Sequence, residues 1–209
     1  QLEHSAPQEL MYKKFYWYRS GVTSTMRIAL KDIFLKVKKM SIMQKGDTIV
    51  DIGANDGTLL KYFKNDGYTT IGCEPAKNLT KELKKNSNFV INNFWNIKDL
   101  NIILKKNKLE KPKVITAIGM FYDLEDPSKF ISDAAKSLND NGVFIAQLMC
   151  LDSMIKKNDL GNICHEHLEF YSYPSLKYLF EKNGLKIMKI EENNINGSSY
   201  RIFCKNICY

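Results

Sequence analysis

Short apolar runs alternate with stretches of helical periodicity along most of this chain. The apolar runs predict buried strands at 47–52, 69–74, 89–91, 113–117 and 143–148. Between and around them, apolar residues at three- and four-residue spacing or polar stop signals predict helices at 22–40, 57–65, 76–86, 97–107, 127–138 and 174–183. Strands that are apolar along their whole length are typical of a parallel sheet covered by helices on both faces. The pattern therefore predicts an α/β fold.

The end of the chain follows a different pattern. Two strands are predicted at 185–191 and 199–205, with a short polar segment at 193–198 between them. Such a connection indicates a hairpin and not another crossover through a helix. The complete prediction is a seven-stranded, mostly parallel sheet that ends in an antiparallel pair. No repeat or low-complexity linker divides the chain.

The first strand leads into a glycine-containing turn, Asp51-Ile52-Gly53-Ala54-Asn55-Asp56-Gly57. In open α/β sheets, small ligands bind where such a strand meets the following helix. Gly53 permits a backbone geometry or a close ligand approach that a side chain would block. Glu74 ends the second strand, 23 residues after Asp51, where a carboxylate can accept hydrogen bonds from both hydroxyls of a ribose. A ligand that carries a ribose is predicted at this crevice.

Two classes of ligand use such a crevice. The dinucleotide fingerprint needs a second glycine for the approach of a pyrophosphate, and Asn55 stands at that position here. Asp51 and Asp56 also disfavour an anion and suit a cationic ligand with an amino group. The turn resembles motif I of the class I S-adenosylmethionine (SAM) methyltransferases, which have a Rossmann-like fold. The resemblance implies SAM as cofactor, with a nicotinamide dinucleotide as the weaker alternative.

Further cofactor contacts are predicted at the ends of neighbouring strands. Asn93 and Phe94 follow the third strand, where they can hold the edge and face of an adenine, although a capping Asn and a core Phe are equally open readings. Ile118 and Met120 follow the fourth strand and are expected to give apolar contacts. Together with the two crevice segments, the predicted cofactor-binding residues are Asp51, Gly53, Asn55, Gly57, Glu74, Pro75, Asn93, Phe94, Ile118 and Met120.

Nothing at 118–120 can abstract a proton, so a catalytic base must come from elsewhere. The candidate segment is Cys164-His165-Glu166-His167, after the fifth strand. Histidines two residues apart lie on different faces of a helix, so a shared zinc ion is not expected and no metal is predicted. In an extended segment, His165 and His167 would share one face. Imidazole suits general-base work near neutral pH, and the alternative is a pair of surface or structural histidines.

Composition narrows the class of protein. The net charge of +8 comes from 31 basic and 23 acidic residues, and the lysines are spread over the predicted helices and loops. That distribution indicates a solvated surface, so nucleic acid is not the favoured partner. No window is long and apolar enough to span a bilayer, and the first residues lack the layout of a signal peptide. Five cysteines without a C-x-x-C pair fit reduced thiols, and we expect a cytoplasmic protein.

Three separated signatures resemble the sugar C-methyltransferases that act on nucleotide-linked deoxysugars. The first is Tyr16-Trp17-Tyr18-Arg19-Ser20-Gly21, followed by Thr25-Met26-Arg27, and the second is the motif I turn in its G-x-N-D-G form. The third combines His165-Glu166-His167-Leu168, Tyr171-Ser172 and Asn196-Gly197-Ser198-Ser199-Tyr200-Arg201. The resemblance runs from about residue 10 to residue 203. It implies that residues 1–40 cover the active site and that 41–209 form the SAM-binding methyltransferase domain.

The resemblance also implies a reaction. Family members methylate the carbon next to a ketone on a nucleotide-bound keto sugar, through an enolate that attacks the methyl group of SAM. Carried over by position, His167 is the base, and Glu166, His165 and Tyr18 complete the catalytic set. The predicted substrate contacts are Tyr16, Arg19, Tyr122, Asn196 and Arg201, with the two arginines meeting the diphosphate of a sugar nucleotide.

The chain departs from the family pattern in several places. Relatives carry an N-terminal zinc-binding module and a further C-terminal domain, so we expect either a compact variant or a central fragment. Cys164 stands where relatives often have a tyrosine, and Gln147 where they tend to have a carboxylate. Two alternatives therefore stay open. One is a SAM-dependent O- or N-methyltransferase for another small molecule or, less favoured, RNA, and the other is a non-catalytic methyltransferase-like binding module.

Overall fold

Seven strands form one sheet in the computed structural model, which describes residues 6–207. The strands are β1 (Thr48–Ile52), β2 (Thr69–Cys73), β3 (Phe89–Ile91), β4 (Val114–Ile118), β5 (Val143–Met149), β6 (Leu185–Asn193) and β7 (Ser199–Asn206). Their order across the sheet is β3-β2-β1-β4-β5-β7-β6. The first five strands are parallel, whereas β7 runs antiparallel to both β5 and β6. This is the predicted mostly parallel sheet with a terminal hairpin.

Seven α-helices connect and cover these strands within the described residues. They are α1 (Ser24–Met40), α2 (Thr58–Asn65), α3 (Thr80–Asn86), α4 (Ile97–Asn107), α5 (Pro127–Ser137), α6 (Leu151–Lys157) and α7 (Tyr173–Lys182). Polar residues fix several starting points, because a side-chain oxygen accepts an otherwise free backbone N–H of the first turn. Asn96 caps α4 in this way, Asp126 caps α5 just before Pro127, and Ser172 caps α7.

The two faces of the sheet are covered by different helices. Alternate residues of a strand point to opposite faces, so Val50 and Ile52 join one apolar cluster while Ile49 joins the other. The first cluster is closed by residues of α4, α5 and α7, and the second by residues of α1 and α2. Each cluster is made of buried apolar side chains, so the sheet holds its carboxyl-end loops on a packed base.

Four local elements differ from the sequence prediction. Helix α6 was not predicted, because only seven residues, Leu151–Lys157, form it directly after β5. A π-helical turn at Glu9–Lys13 and a 3-10 turn at Phe121–Asp123 were also missed. Strand β6 continues to Asn193, two residues further than predicted, and contains an irregularity between Ile187 and Lys189. Short segments carry too little periodicity to be recognised from one sequence.

The proposed division of the chain at residue 40 stays a prediction. Helix α1 shares an apolar cluster with α2 and the sheet through Leu30, Ile33, Phe34 and Val37.

Within residues 6–207, no helix combines the length and the apolar composition that crossing a bilayer requires.

Candidate functional site

A cavity of about 310 Å³ opens where β1, β2 and β4 end. Its walls come from the turns after these strands, from the start of α5 and from the segment before α1. The lining includes nine of the residues that carry the argument below: Tyr12, Tyr16, Tyr18, Gly53, Glu74, Phe94, Trp95, Met120 and Asp123. The carboxyl ends of parallel strands are where open α/β sheets bind ligands.

Two hydrogen bonds hold the turn after β1 against the end of β2. The backbone N–H groups of Gly53 and Ala54 both donate to the carbonyl of Cys73, at 2.9 and 3.0 Å. Gly53 has a φ of 71°, and a Cβ there would lie 2.8 Å from Cγ of Met120 across the cavity. Only glycine gives both this conformation and this clearance at low cost. The predicted requirement for glycine at position 53 therefore follows from the geometry.

Glu74 is held rigidly at the edge of the cavity. Its side chain is 5% exposed, Oε2 accepts the backbone N–H of Asn55 and Oε1 accepts that of Ala76, both at 2.9 Å. Burial raises the pKa of this carboxyl, and the two backbone donors oppose the rise. Each carboxylate oxygen can accept a second hydrogen bond. A ribose with two hydroxyls fits these free positions.

Flat and apolar side chains surround the space next to Glu74. Pro75, Phe94, Ile118 and Met120 line it, as predicted, together with Trp95. The indole Nε1–H of Trp95 is buried without a partner among the described residues. An adenine ring offers both the flat face and the acceptor nitrogens that these groups lack. The wall therefore fits an adenosyl group.

Three residues predicted to bind cofactor are used differently. Asn93 is exposed, and its side-chain amide donates to Asp99 at 3.2 Å. Gly57 starts α2 with a φ of 79°, and a Cβ there would meet Cβ of Asn86 at 2.8 Å, so it serves the packing of α2 on α3. Asp51 lies below the cavity and not in its wall. None of the three lines the cavity, and their contacts with a cofactor stay a prediction.

Asp51 is nonetheless an unusual carboxyl. It is 4% exposed, and its Oδ1 accepts the hydroxyl of Thr116 at 2.6 Å. Burial, with the nearby carboxyls of Glu74 and Asp56, raises the pKa of Asp51 to about 7, against the effect of the Thr116 hydrogen bond. Residues two apart in a strand share a face of the sheet, so Asp51 lies with Ile49 on the face that α1 and α2 cover.

The segment Phe15–Gly21, here called the aromatic strap, crosses the mouth of the cavity. Side chains of the sheet domain hold it by its backbone. Asn78 accepts the N–H of Tyr16 and donates to its carbonyl, both at 3.0 Å. Asn55 donates to the Tyr18 carbonyl at 3.0 Å and accepts the Ser20 N–H at 2.9 Å, and Asp56 accepts the Gly21 N–H at 2.7 Å.

With the backbone of the strap held in this way, its side chains alternate between the cavity and the outside. Tyr16 and Tyr18 line the cavity, whereas Phe15 and Trp17 point outward and are 51% and 85% exposed. The side chain of Asn55, predicted to bind cofactor, is committed to the strap. Its backbone N–H supports Glu74, so Asn55 acts on the cavity through two neighbours.

The loop after β4 brings two further polar residues to the cavity region. The Tyr122 hydroxyl donates to the carbonyl of Gly119 at 3.0 Å, and one carboxyl oxygen of Asp123 is buried without a partner among the described residues. The hydroxyl of Tyr12 is also buried and unpartnered. Asp123 and Tyr12 were missed in the sequence, because the prediction considered only the first three positions after the strand. Asp123 is the sixth position after the predicted strand and the last residue of the 3-10 turn.

The segment His165-Glu166-His167, here called the H-E-H turn, forms a turn and not an extended strand. The N–H of His167 donates to the Cys164 carbonyl at 3.2 Å, so the predicted common face of the two histidines is wrong. His165 is exposed. His167 is half-buried, with Nδ1 2.7 Å from the carbonyl oxygen of Asn162 and its ring edge-on to Tyr122, 4.6 Å between centroids.

Four predicted substrate contacts do not line the cavity, among them Tyr122, whose hydroxyl is bonded to the Gly119 carbonyl. Arg19 pairs with Glu82 on α3 at 3.0 Å, and Asn196 is exposed on the hairpin turn. Arg201 is 2% exposed and binds Gln147 Oε1 at 2.9 Å and Asp32 of α1. The structure contradicts the predicted contact of Arg201 with a diphosphate, because residue 201 shares the sheet face of Phe203, which packs towards α1. Within residues 6–207, no group of three or more His, Cys, Asp and Glu side chains is arranged to hold a metal ion.

Comparison with known proteins gives a consistent result. The family model described as "Methyltransferase domain" matches residues 25–190. C-methyltransferase NovU from Streptomyces niveus is 23% identical over 202 residues, covering 97% of this chain and 47% of that protein. The chain thus spans about half the length of this curated relative.

Solved structures share the fold at low sequence identity. Magnesium protoporphyrin IX methyltransferase (ChlM) from Synechocystis PCC 6803, with bound S-adenosylhomocysteine (SAH), is 11% identical, with a TM-score of 0.65 over 91% of this chain and 90% of that one. The PH0226 protein from Pyrococcus horikoshii OT3 is 13% identical, with a TM-score of 0.66 over 91% and 95%.

The family match and these folds confirm three predictions: the class I fold, the enzyme class and the cofactor. A further ChlM structure holds SAM itself. The cavity described above offers the carboxylate and the apolar wall that an adenosyl cofactor needs. The chain therefore belongs to the methyltransferase-domain family, as a SAM-dependent methyltransferase with the class I fold.

Proposed function

We propose that this chain methylates the carbon next to a ketone on a nucleotide-linked keto-deoxysugar. The observation that carries the proposal is the setting of His167. Its ring lies against Tyr122, the residue before the cavity-lining Asp123, although neither ring lines the cavity itself, and one ring nitrogen is already engaged by the Asn162 carbonyl. The similarity to a protein named C-methyltransferase supports the same chemistry.

The hydrogen bond at Nδ1 determines what His167 can do. A carbonyl oxygen accepts only, so Nδ1 carries the proton in the neutral ring and Nε2 keeps its lone pair. In the proposed reaction, Nε2 removes the proton from the carbon next to the ketone. The electron pair moves onto the ketone oxygen to give an enolate. The Asn162 bond and the Tyr122 ring hold the imidazole in this orientation.

SAM, when bound, supplies an electrophilic methyl group on a sulfonium. Glu74 and the apolar wall would position the adenosyl part, and the strap tyrosines Tyr16 and Tyr18 would close the cavity over the acceptor. In this proposal the described part of the segment before α1 forms the cover, whereas α1 packs on the sheet face that it shares with α2. The enolate carbon then bonds the methyl group while the sulfur–methyl bond breaks, and alignment of these atoms lowers the barrier.

The charge of the cavity bears on how a sugar nucleotide enters. Five carboxyl side chains line it, at Glu74, Asp123, Glu125, Asp126 and Asp133. Lys129 also lines the cavity, and it pairs with Asp133. A diphosphate inside would be repelled, whereas the cationic cofactor is favoured. The proposal therefore places the keto sugar inside the cavity and the nucleotide outside its mouth.

Methyl transfer by two histidine variants tests the proposal. The acceptor is dTDP-4-keto-6-deoxyglucose, and the readout is radioactive methyl from labelled SAM in the sugar. We expect His167→Ala to lower kcat by about 10²- to 10⁴-fold, the usual contribution of a general base. Calorimetric affinity for SAM should change less than about twofold, because the ring binds the loop and not the adenosyl wall.

The variant His165→Asn separates the two histidines. His165 is exposed, so its replacement should leave kcat within about twofold of wild type, whereas a base at this position would give the larger loss. Full turnover by His167→Ala would overturn the base assignment. Binding of SAM without methyl transfer to the keto sugar would reject this acceptor, and a screen of hydroxyl and amine acceptors would then distinguish an O- or N-methyltransferase from a binding module.

A further inference from the structure

Two polar atoms at one end of the cavity belong to neighbouring side chains, and neither makes a hydrogen bond of good geometry within residues 6–207. They are one carboxyl oxygen of Asp123 and the hydroxyl of Tyr12, and both are fully buried. Both residues line the cavity. A buried polar group that lacks a hydrogen bond costs about 1–3 kcal/mol, so a ligand atom that completes these bonds is favoured there.

Backbone hydrogen bonds from two separate segments fix the position of Asp123. Gln8 donates through its side-chain amide to the Asp123 carbonyl at 2.7 Å. From the other side, the N–H groups of Leu168 and Glu169 donate to the Tyr122 carbonyl at 2.9 and 3.0 Å. The loop of Asp123 is therefore tied directly to the segment that carries His167.

The surroundings of Asp123 are acidic or hydroxylic. Glu166 approaches from the H-E-H turn, Tyr12 and Tyr16 from the segment before α1, and Glu125 and Asp126 follow in the same loop. Lys129 on α5 is neutralised by Asp133. Burial raises the pKa of Asp123 to about 8, with a further rise from Glu166 and an opposing effect of the Tyr12 hydroxyl.

A carboxyl in such a setting holds its proton at neutral pH. The neutral form offers one O–H donor, whereas the ionised form offers acceptors alone. Burial also raises the pKa of Tyr12 and of Tyr16, so both phenols keep their protons. The end of the cavity beside the H-E-H turn is therefore an array of donors. Such an array complements an oxygen that gains negative charge during a reaction.

We propose that Asp123, in its protonated form, donates a hydrogen bond to the ketone oxygen of the acceptor, and that the Tyr12 hydroxyl supplies a second one. The inference rests on the proposed function and identifies the group that stabilises its enolate. The carbon–hydrogen bond next to the ketone breaks, and the proton passes to Nε2 of His167. The electron pair comes to rest on the oxygen, where the Asp123 proton remains shared and is not transferred. Asp123 is thus a catalytic residue.

Hydrogen–deuterium exchange at the carbon next to the ketone isolates this step. The experiment uses dTDP-4-keto-6-deoxyglucose in D₂O with SAH in place of SAM, so that enolate formation occurs without methyl transfer. We expect Asp123→Leu, which removes the donor, to slow exchange and kcat by about 10²- to 10³-fold. Asp123→Asn keeps an N–H donor and should stay within about tenfold of wild type.

The pH profile distinguishes donation from a purely structural role. Wild-type kcat should fall above about pH 8 as Asp123 ionises, and Asp123→Asn should lose this alkaline limb. A ¹³C NMR titration of the free protein gives a readout that does not depend on activity. The Asp123 carboxyl should titrate near pH 8, and Glu166→Gln should lower that midpoint.

The outcomes separate this inference from the function beneath it. A wild-type chain that neither exchanges nor methylates the keto sugar overturns the proposed function and this inference with it. A wild-type chain that does both, alongside Asp123→Leu with unchanged exchange, overturns the role of Asp123 alone. An Asp123 carboxyl already ionised at pH 7 would do the same. Urea midpoints for each variant identify losses that come from unfolding.

Discussion

Glu74 and Asp51 end neighbouring strands, and their surroundings give them different tasks. Glu74 faces the cavity, with both oxygens oriented by backbone donors. Asp51 faces α1 and α2, with a threonine hydroxyl as its partner. Sequence spacing indicated both carboxyls but not which way each points, because the faces of a buried parallel strand are equally apolar.

Replacement of Glu74 tests the ribose contact. We expect Glu74→Ala to weaken SAM binding by about 10- to 100-fold, because hydrogen bonds to a charged group contribute about 1.5–3 kcal/mol. Isothermal titration calorimetry with SAM and SAH measures the loss. Glu110→Ala, which removes an exposed carboxyl before β4, is the matched control. Unchanged affinity in Glu74→Ala would show that the ribose lies elsewhere.

Replacement of Asp51 should stabilise the protein in a defined pH range. The unfolded carboxyl ionises near its ordinary pKa of about 3.9, and the folded one near about 7. The folded chain binds the extra proton between these values, so the free energy of unfolding falls as pH rises from about 4 to about 7 and is then level. Asp51→Asn removes this fall.

The amide of Asp51→Asn can still accept the Thr116 hydroxyl. We expect the variant to gain about 1–3 kcal/mol in the free energy of unfolding at pH 8 and to match wild type within about 0.5 kcal/mol at pH 3.5. Urea unfolding at the two pH values measures both. An equal change at both pH values would mean that ionisation is not the cause.

At the scale of elements, the aromatic strap is the part that sequence reasoning located but could not attach. Tyr16 and Tyr18 were predicted as site residues, and both line the cavity. The hydrogen bonds that hold the strap were not predicted, because Asn55 and Asn78 are distant from it in sequence. An asparagine side chain also suits many roles. The H-E-H turn shows the same limit, since a local hydrogen bond from His167 to Cys164 and not periodicity decides its shape.

Removal of one fastening should loosen the strap without unfolding the sheet. Asn78→Ala deletes both hydrogen bonds to Tyr16, and we expect faster backbone hydrogen exchange across residues 12–20. Its rate should rise by about tenfold, which corresponds to about 1.4 kcal/mol of local opening. Exchange followed by mass spectrometry measures the effect. Asn107→Ala, which loses only a bond to its own helix, is the control and should leave the strap unchanged.

At the scale of the whole molecule, a buried arginine joins the hairpin to the first helix. Arg201 of β7 binds Asp32 of α1, and Gln147 of β5 accepts its Nε–H. Lys36 and Glu191 extend the group, so strands from the end of the chain are tied to a helix near its start. Gln147, which departs from the carboxylate that the family resemblance leads one to expect, has a role within the fold as the acceptor of this bond.

Loss of the acidic partner should destabilise the protein. Asp32→Ala leaves the guanidinium of Arg201 buried without its hydrogen-bonded carboxylate, and we expect a cost of about 1–3 kcal/mol, less than for a fully buried pair because Asp32 is half-exposed. Urea denaturation measures it. Lys31→Ala, at an exposed position of the same helix, should change stability by less than about 0.5 kcal/mol. Equal effects of the two variants would contradict the role of the pair.

The order of strands and helices followed from the sequence because apolar periodicity reports burial over whole elements. The alternation of strands and helices up to β5, and the polar turn before β7, determined the topology. Long-range polar pairs were beyond reach, as Arg201 shows. It was assigned to a substrate because arginines bind phosphates, whereas its strand position buries it against α1.

The strap is held by hydrogen bonds to its backbone and not to its side chains. The side chains of Asn55, Asp56 and Asn78 bond peptide groups, which every amino acid has. Tyr16 and Tyr18, which line the cavity, can therefore be replaced while the attachment persists. Selection or an engineer can change the side chains of the strap in this way and leave Glu74 and the apolar wall as they are.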